Sequence, residues 1–281
     1  MLAITGGLVY SISDGVKPGH AVLVREGRIE ALVPPGEVPS DCERLDVAGG
    51  RVLPGLIDAR TSVGLFGDGT GFQNADHEEL TDPDTAWVRA IDALNPADPV
   101  FADALQAGVT TLLTGPGTTN VAGGLSAVIK TAGDTVEAML VREPAGLQIG
   151  LGRPPVDAYR AKDKLWTRMG VVALLRERLT AARAYLGRLE RAESDPDKAP
   201  EEDFCLAPYV GLLRRDYPAR VRVATAEDAW TALRLVDEFG FDLVLEQLTE
   251  GHLAGLPQEL ARRGVPCVVG PMMKGGKSFE T

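Results

Sequence analysis

Cysteine and histidine are scarce in this chain, with three of each among 281 residues. Cys42, Cys205 and Cys267 are far apart and odd in number. That excludes a disulfide framework and a clustered thiolate metal site, and points to a reducing, cytoplasmic setting. A basic excess is also missing. Forty acidic against 29 basic side chains give a net charge of −11, the wrong sign for a surface that grips phosphates, so nucleic acid is excluded as a partner. No apolar run approaches the about 18 residues of a membrane helix. The opening residues, MLAITGGLVYSISDG, have neither the basic nor the apolar region of a secretory leader. Membrane spanning and secretion are therefore not expected.

What is present is ordinary globular composition, 44% hydrophobic and 25% charged, in a chain long enough for one large domain or two modest ones. Residues 1–51 alternate apolar and polar positions between glycine turns at Gly6-Gly7, Gly19, Gly27 and Gly49-Gly50, which predicts a small antiparallel β domain. From residue 52 to 281 the pattern changes. Short apolar runs alternate with segments of helical period, the arrangement of βαβ units around a parallel sheet. Seven strands are expected: Leu53 to Ala59, Val109 to Thr114, Ser126 to Thr131, Leu147 to Leu151, Arg220 to Ala224, Leu243 to Gln247 and Pro266 to Val269. Residues 166–193 read as a long amphipathic helix. A second helix follows Thr225, whose T-A-E-D start supplies an N-cap and first-turn acids. The fold class is α/β, a (β/α)8-type (TIM) barrel that lacks its eighth strand, with a small N-terminal β domain. An open barrel edge leaves backbone groups unpaired, so a homo-oligomer or a complementing chain is an expected partner.

Three stretches carry a family resemblance. GGRVLPGLIDARTSVGL resembles the strand-one signature of metal-dependent amidohydrolases, in which Pro-Gly-Leu-Ile-Asp precedes Ala-His-x-His. NPADPVFADALQAGVTTLLTGPGTTNVAGG is similar to the next barrel segment of imidazolonepropionase-like members, and LVLEQLTEGHLA to their strand-six segment. Residues 1–51 look like the family's β-sandwich half. The resemblance implies hydrolysis of non-peptide C–N bonds by zinc or another divalent metal. Its ligands would come from His-x-His on strand one, histidines on strands five and six, and an aspartate on strand eight. Residues i and i+2 of a strand point to the same side, so a His-x-His pair meets one metal.

The matching positions here are Arg60, Ser62, Arg222 and Gln247, with Ala224 at a frequent second histidine and the aspartate beyond Thr281. Arginine has no lone pair to donate, and serine and glutamine are weak zinc ligands. No metal cofactor is therefore expected. The leading expectation is a degenerate homologue, a pseudoenzyme without metal-dependent hydrolysis, retained as a small-anion-binding or interaction module. Arg60 and Arg222 would hold the anion by charge-assisted contacts. The alternative is an active hydrolase of cyclic-amide-type bonds, or a fragment of one, using Asp58, Lys130, Glu246 and His252 in a non-standard site.

Several motifs have plainer readings. Lys130, in VIKTAG, reads as a strand-end lysine reaching solvent rather than a metal-bridging carbamate. Asp58 is expected to pair with Arg60 or Arg222. GPGTTNVAGG lacks nucleotide-loop patterns, but its backbone amides would suit an anion. His20 reads as structural, His77 as part of a loop or lid, His252 as a first-turn helix residue, and Cys267 as a buried small hydrophobe.

Overall fold

The computed structural model describes residues 1–66, 75–249 and 255–270. The chain divides into two compact units, Met1–Leu56 and Ile57–Thr281. The first contains β1 (Leu2–Thr5), β2 (Leu8–Ser11), β3 (Gly15–Pro18), β4 (Ala21–Arg25), β5 (Arg28–Val33), β6 (Glu43–Asp46) and β7 (Arg51–Val52). They form two small sheets, ordered β5-β4-β1-β6 and β3-β2-β7. Glu26 and Gly27 both adopt positive φ, as the two-residue hairpin between β4 and β5 requires. The wholly antiparallel expectation fails at two pairs. β6 runs parallel to β1, and β7 parallel to β2, because residues 34–42 carry the chain back before it re-enters the sheet.

The second unit is built on a seven-stranded sheet whose spatial order follows the sequence: β8 (Leu56–Thr61), β9 (Val109–Thr114), β10 (Ala122–Lys130), β11 (Leu140–Gly150), β12 (Ala219–Arg222), β13 (Leu243–Glu246) and β14 (Cys267–Val268). Helices α1 (Val100–Gln106), α2 (Val136–Met139), α3 (Arg153–Arg160), α4 (Arg168–Ser194), α5 (Ala207–Arg214), α6 (Ala226–Phe239) and α7 (Leu256–Arg263) lie between strands. Each expected strand has a counterpart. The fully parallel reading is corrected at β10, which is antiparallel to both β9 and β11. A parallel crossover needs roughly a dozen residues or more, and the links 115–121 and 131–139 are shorter.

The pleat separates two environments. Leu147, Ile149, Val221, Leu243 and Leu245 are buried in the cluster formed with the helices. Helix α4 contributes Val171, Leu175, Leu179 and Ala182, one stripe at helical spacing. Thr167 caps α4 by accepting from Gly170 N, and Thr225 caps α6 by accepting from Asp228 N. Gln148, Arg220, Arg222 and Glu246 alternate with the apolar set and face the other side. That side is the concave one, since Arg60 on β8 reaches Glu246 on β13. The sheet is thus a nearly closed barrel with a polar interior. Among the described residues no eighth strand joins it, and no helix is long and apolar enough to cross a membrane.

Candidate functional site

The barrel interior is organised by one carboxylate. Glu246, the last residue of β13, is 0% exposed. Its Oε2 accepts from Arg60 Nε at 3.0 Å and its Oε1 from Arg220 Nε at 2.6 Å. The guanidinium groups are further tied to backbone carbonyls. Arg60 donates to Thr61 O at 2.7 Å and Pro116 O at 2.9 Å; Arg220 donates to Ala59 O at 2.7 Å. Gly146 makes room for Arg220, because a Cβ there would lie 2.6 Å from Arg220 Cδ.

Burial pushes the Glu246 carboxyl above the ordinary carboxylate range, and the two guanidinium groups pull it back. Burial likewise lowers Arg60, with Glu246 opposing. Arginine starts so far above neutral that it keeps its proton, so the network is an ionised Arg–Glu–Arg triad. Deep burial of three charges is tolerable only because each is paired and hydrogen-bonded.

The remaining positions expected at the mouth are nearby. Ser62 Oγ donates to Gly115 O at 3.1 Å. Arg222 Nε donates to Gln247 Oε1 at 3.3 Å, and Arg222 is in register with Glu246. Asp58 is exposed on β8 and accepts the backbone N–H of Arg60, so its partner is that amide; the ion pair expected for Arg60 forms with Glu246 instead.

Lys130 lies elsewhere. Because β10 runs antiparallel, Lys130 sits opposite Thr111, near the start of β9, and donates to Thr111 Oγ1 at 3.0 Å. It is at the end of the barrel away from Arg222 and Glu246. His252 lies outside the described residues. Cys267 is exposed rather than buried, because β14 is an edge strand. His20 Nδ1 is 3.1 Å from Pro18 O in the N-terminal unit.

Two interior residues went unnoticed in the sequence. Arg220 is two positions before Arg222 and so on the same face of β12, a relation visible in R-V-R-V. Gln148 on β11 is 0% exposed and in register with Arg220; neither polar atom of its carboxamide has a hydrogen-bond partner among the described residues. A single polar residue in an apolar strand gives no such warning.

The glycine-rich loop 115–121 does receive an anion, but one from this chain. Glu78 Oε1 accepts from Thr119 N at 3.2 Å and from Thr119 Oγ1. Gly117 N donates to His77 O at 2.6 Å, and Asn120 Nδ2 to Glu79 O at 2.7 Å. Farther along the same segment, Asp84 accepts from Tyr209 Oη at 2.7 Å and pairs with Arg178 at 2.6 Å. Residues 75–85 are therefore a strap fixed across the ends of the strands. Among the described residues, no three His, Cys, Asp or Glu side chains gather as a metal-holding group.

Known proteins resemble this chain in both units. Residues 1–52 match the family model of the NagA composite domain. Over 114 residues the chain is 35% identical to the amidohydrolase tasK of Hapsidospora irregularis, covering 40% of this chain and 12% of that protein. Over 58 residues it is 45% identical to an imidazolonepropionase of Klebsiella pneumoniae, covering 21% of this chain and 14% of that protein. These matches thus span only a small part of the curated relatives' length. The crystal structure of an amidohydrolase from Thermotoga maritima superposes with a TM-score of 0.91 at 35% identity, covering 97% of this chain and 70% of that one.

Proposed function

Because the chain belongs to the amidohydrolase superfamily, we propose that it is a member whose barrel mouth is built on a guanidinium–carboxylate network in place of a divalent metal, and that this mouth binds a small anion. The observation that carries the reading is Glu246. Both of its oxygens are engaged by arginines while it is fully buried. A divalent cation needs lone pairs, and the groups at the four positions that the resemblance assigns to metal ligands do not fit it. Arg60 and Arg222 carry positive charge, the Ser62 hydroxyl hydrogen is directed at Gly115 O, and Gln247 Oε1 accepts from Arg222. Without the metal, the family's means of activating water and polarising a carbonyl is missing.

The same groups favour a carboxylate or phosphate. Arg60 and Arg220 share the single carboxylate of Glu246, which gives the buried triad an excess positive charge on a chain that is otherwise strongly acidic. In a barrel interior of low dielectric, one uncompensated charge attracts an anion more strongly than it would in water. Gln148 adds a buried amide donor without a partner.

Calorimetric titration with acetate and with inorganic phosphate tests the reading. The parent protein is expected to bind one of them, and the Arg60→Ala, Arg222→Ala double variant to lose that binding. The Arg60→Lys, Arg222→Lys variant keeps the charge and is expected to retain part of it. Binding that survives the double alanine variant would overturn the proposal.

A further inference from the structure

A groove of about 670 Å³ runs between α4 and α6, on the helix side of the sheet and so away from the arginine network. Its floor is apolar. Leu151 is buried beneath it, Val172 and Trp230 form half-buried walls, and Met169 stands at its edge with 78% of its surface exposed. Trp166, just before the start of α4, is 54% exposed and stacks under the Arg160 guanidinium at 5.2 Å. Tryptophan, methionine and arginine are the residue types enriched where proteins associate, and a protruding methionine adapts to the surface it meets.

The charges around this groove say what would cover it. Most are satisfied within the chain: Asp228 pairs with Arg168 at 3.4 Å, Glu238 with Arg176 at 2.8 Å and Asp237 with Arg263 at 2.5 Å. On α6, Glu227 and Arg234 are the exceptions. Both are exposed groove-lining residues, and among the described residues neither forms an ion pair; Arg234 donates to the Thr231 hydroxyl at 2.7 Å. Two helical turns separate them, so they share one face of α6, about 10 Å apart along its axis. They also lie symmetrically about the Trp230–Thr231 bond. A stripe that runs acid, aromatic, base is complementary to its own copy turned through 180°. With two α6 helices antiparallel, each Glu227 faces the Arg234 of the other copy, the Trp230 side chains lie beside the axis, and the helix dipoles oppose one another favourably. A foreign partner would need the same charges at the same spacing in reverse. A second copy has them already.

We propose that the α4–α6 face is an isologous interface between two copies of this chain, in which Met169 of each copy enters the groove of the other beside Trp230 and Glu227 pairs with Arg234 across the two-fold axis. The face is about 21 Å long and two helices wide, on the order of 1,000 Å² over both copies. That is the low end of specific interfaces, so dissociation in the micromolar range is expected. The face lies outside the barrel and stands whether or not the mouth binds an anion.

Sedimentation velocity on the full chain from about 1 to 200 µM brackets such an affinity and is the test. The parent is expected to pass from monomer to dimer, to stop there, and to dissociate more readily in high salt. Glu227→Arg or Arg234→Glu alone makes both cross-axis pairs repulsive and is expected to weaken the dimer about tenfold or more. Mixed in equal amounts, these two variants are expected to form a heterodimer, because one copy then carries two arginines on the stripe and the other two glutamates. Met169→Glu, at an exposed position, is expected to weaken the parent dimer as well, with circular dichroism confirming that each variant is folded. A parent chain still monomeric at about 200 µM would overturn the proposal. So would growth beyond the dimer, a dimer that the folded charge variants leave unchanged, or charge variants that fail to recombine when mixed.

Discussion

Replacing Glu246 with glutamine tests whether the interior arginines depend on that carboxylate. The amide keeps the shape and one acceptor oxygen but removes the charge, leaving Arg60 and Arg220 facing each other with side-chain exposures of only 10% and 9%. Breaking a buried ion pair by removing one partner costs about 3–5 kcal/mol, since the surviving charge is left uncompensated. Two charges are stranded here, but the carbonyls of Thr61, Pro116 and Ala59 still accept from them. The lower end of that range, about 3 kcal/mol, is therefore expected. For a unit of this size that is a fall in Tm of roughly 6–12 °C.

Urea unfolding followed by circular dichroism reads the loss at fixed temperature, and a thermal scan checks it. A companion variant sharpens the result. Removing all three charges together, as Glu246→Leu with Arg60→Met and Arg220→Met, should stay within about 1 kcal/mol of the parent or exceed it, because desolvation is relieved along with the attraction. An E246Q protein within about 1 kcal/mol of the parent would mean instead that the guanidinium groups are solvated and do not depend on Glu246.

Gly146→Ala would place a methyl group 2.6 Å from Arg220 Cδ, and overpacking of that kind should cost about 1–3 kcal/mol by the same unfolding assay. Burial pushes the Asp84 carboxyl above its usual range, with Tyr209 and Arg178 opposing. A raised folded pKa means the native state holds the proton more tightly. The Asp84 contribution is thus complete below about pH 4 and lost as pH rises through the folded value, and Asp84→Asn should flatten that decline. Glu259 behaves in the opposite sense, because hydrogen bonds from Arg262 and Arg263 hold its carboxyl down at about 2. Its contribution is present above about pH 4.5 and lost as pH falls through about 2; the Glu259 carboxyl carbon should show no NMR titration midpoint between about pH 3.5 and 5.

The strands were legible because each is a short apolar run set off by turn residues, and seven such runs became seven strands. Strand direction was less visible. The link of residues 115–121 is too short for a crossover, yet its glycines read more readily as a ligand loop than as a reversal. That one reversal sets Lys130 opposite Thr111, at the end of the barrel away from Arg222 and Glu246. Arg60 and Glu246 could each be singled out by motif, but their pairing is a tertiary fact spanning 186 positions. Asp58, closer in sequence, was the natural first partner and is the wrong one, because it lies on the exposed part of β8. The carboxylate in the glycine-rich loop was illegible for a similar reason. Glu78 reads as one acid in a polar stretch until folding sets it against Thr119.

Metal content decides whether arginine, serine and glutamine stand at the barrel mouth in place of a divalent metal. Protein purified without chelator would be offered zinc and manganese separately, desalted and measured by mass spectrometry. Less than about a tenth of an equivalent of either metal is expected, since among the described residues no three histidine, cysteine or carboxylate side chains gather as ligands. About one or two tightly held equivalents would contradict it and place a metal-holding donor set somewhere in this chain.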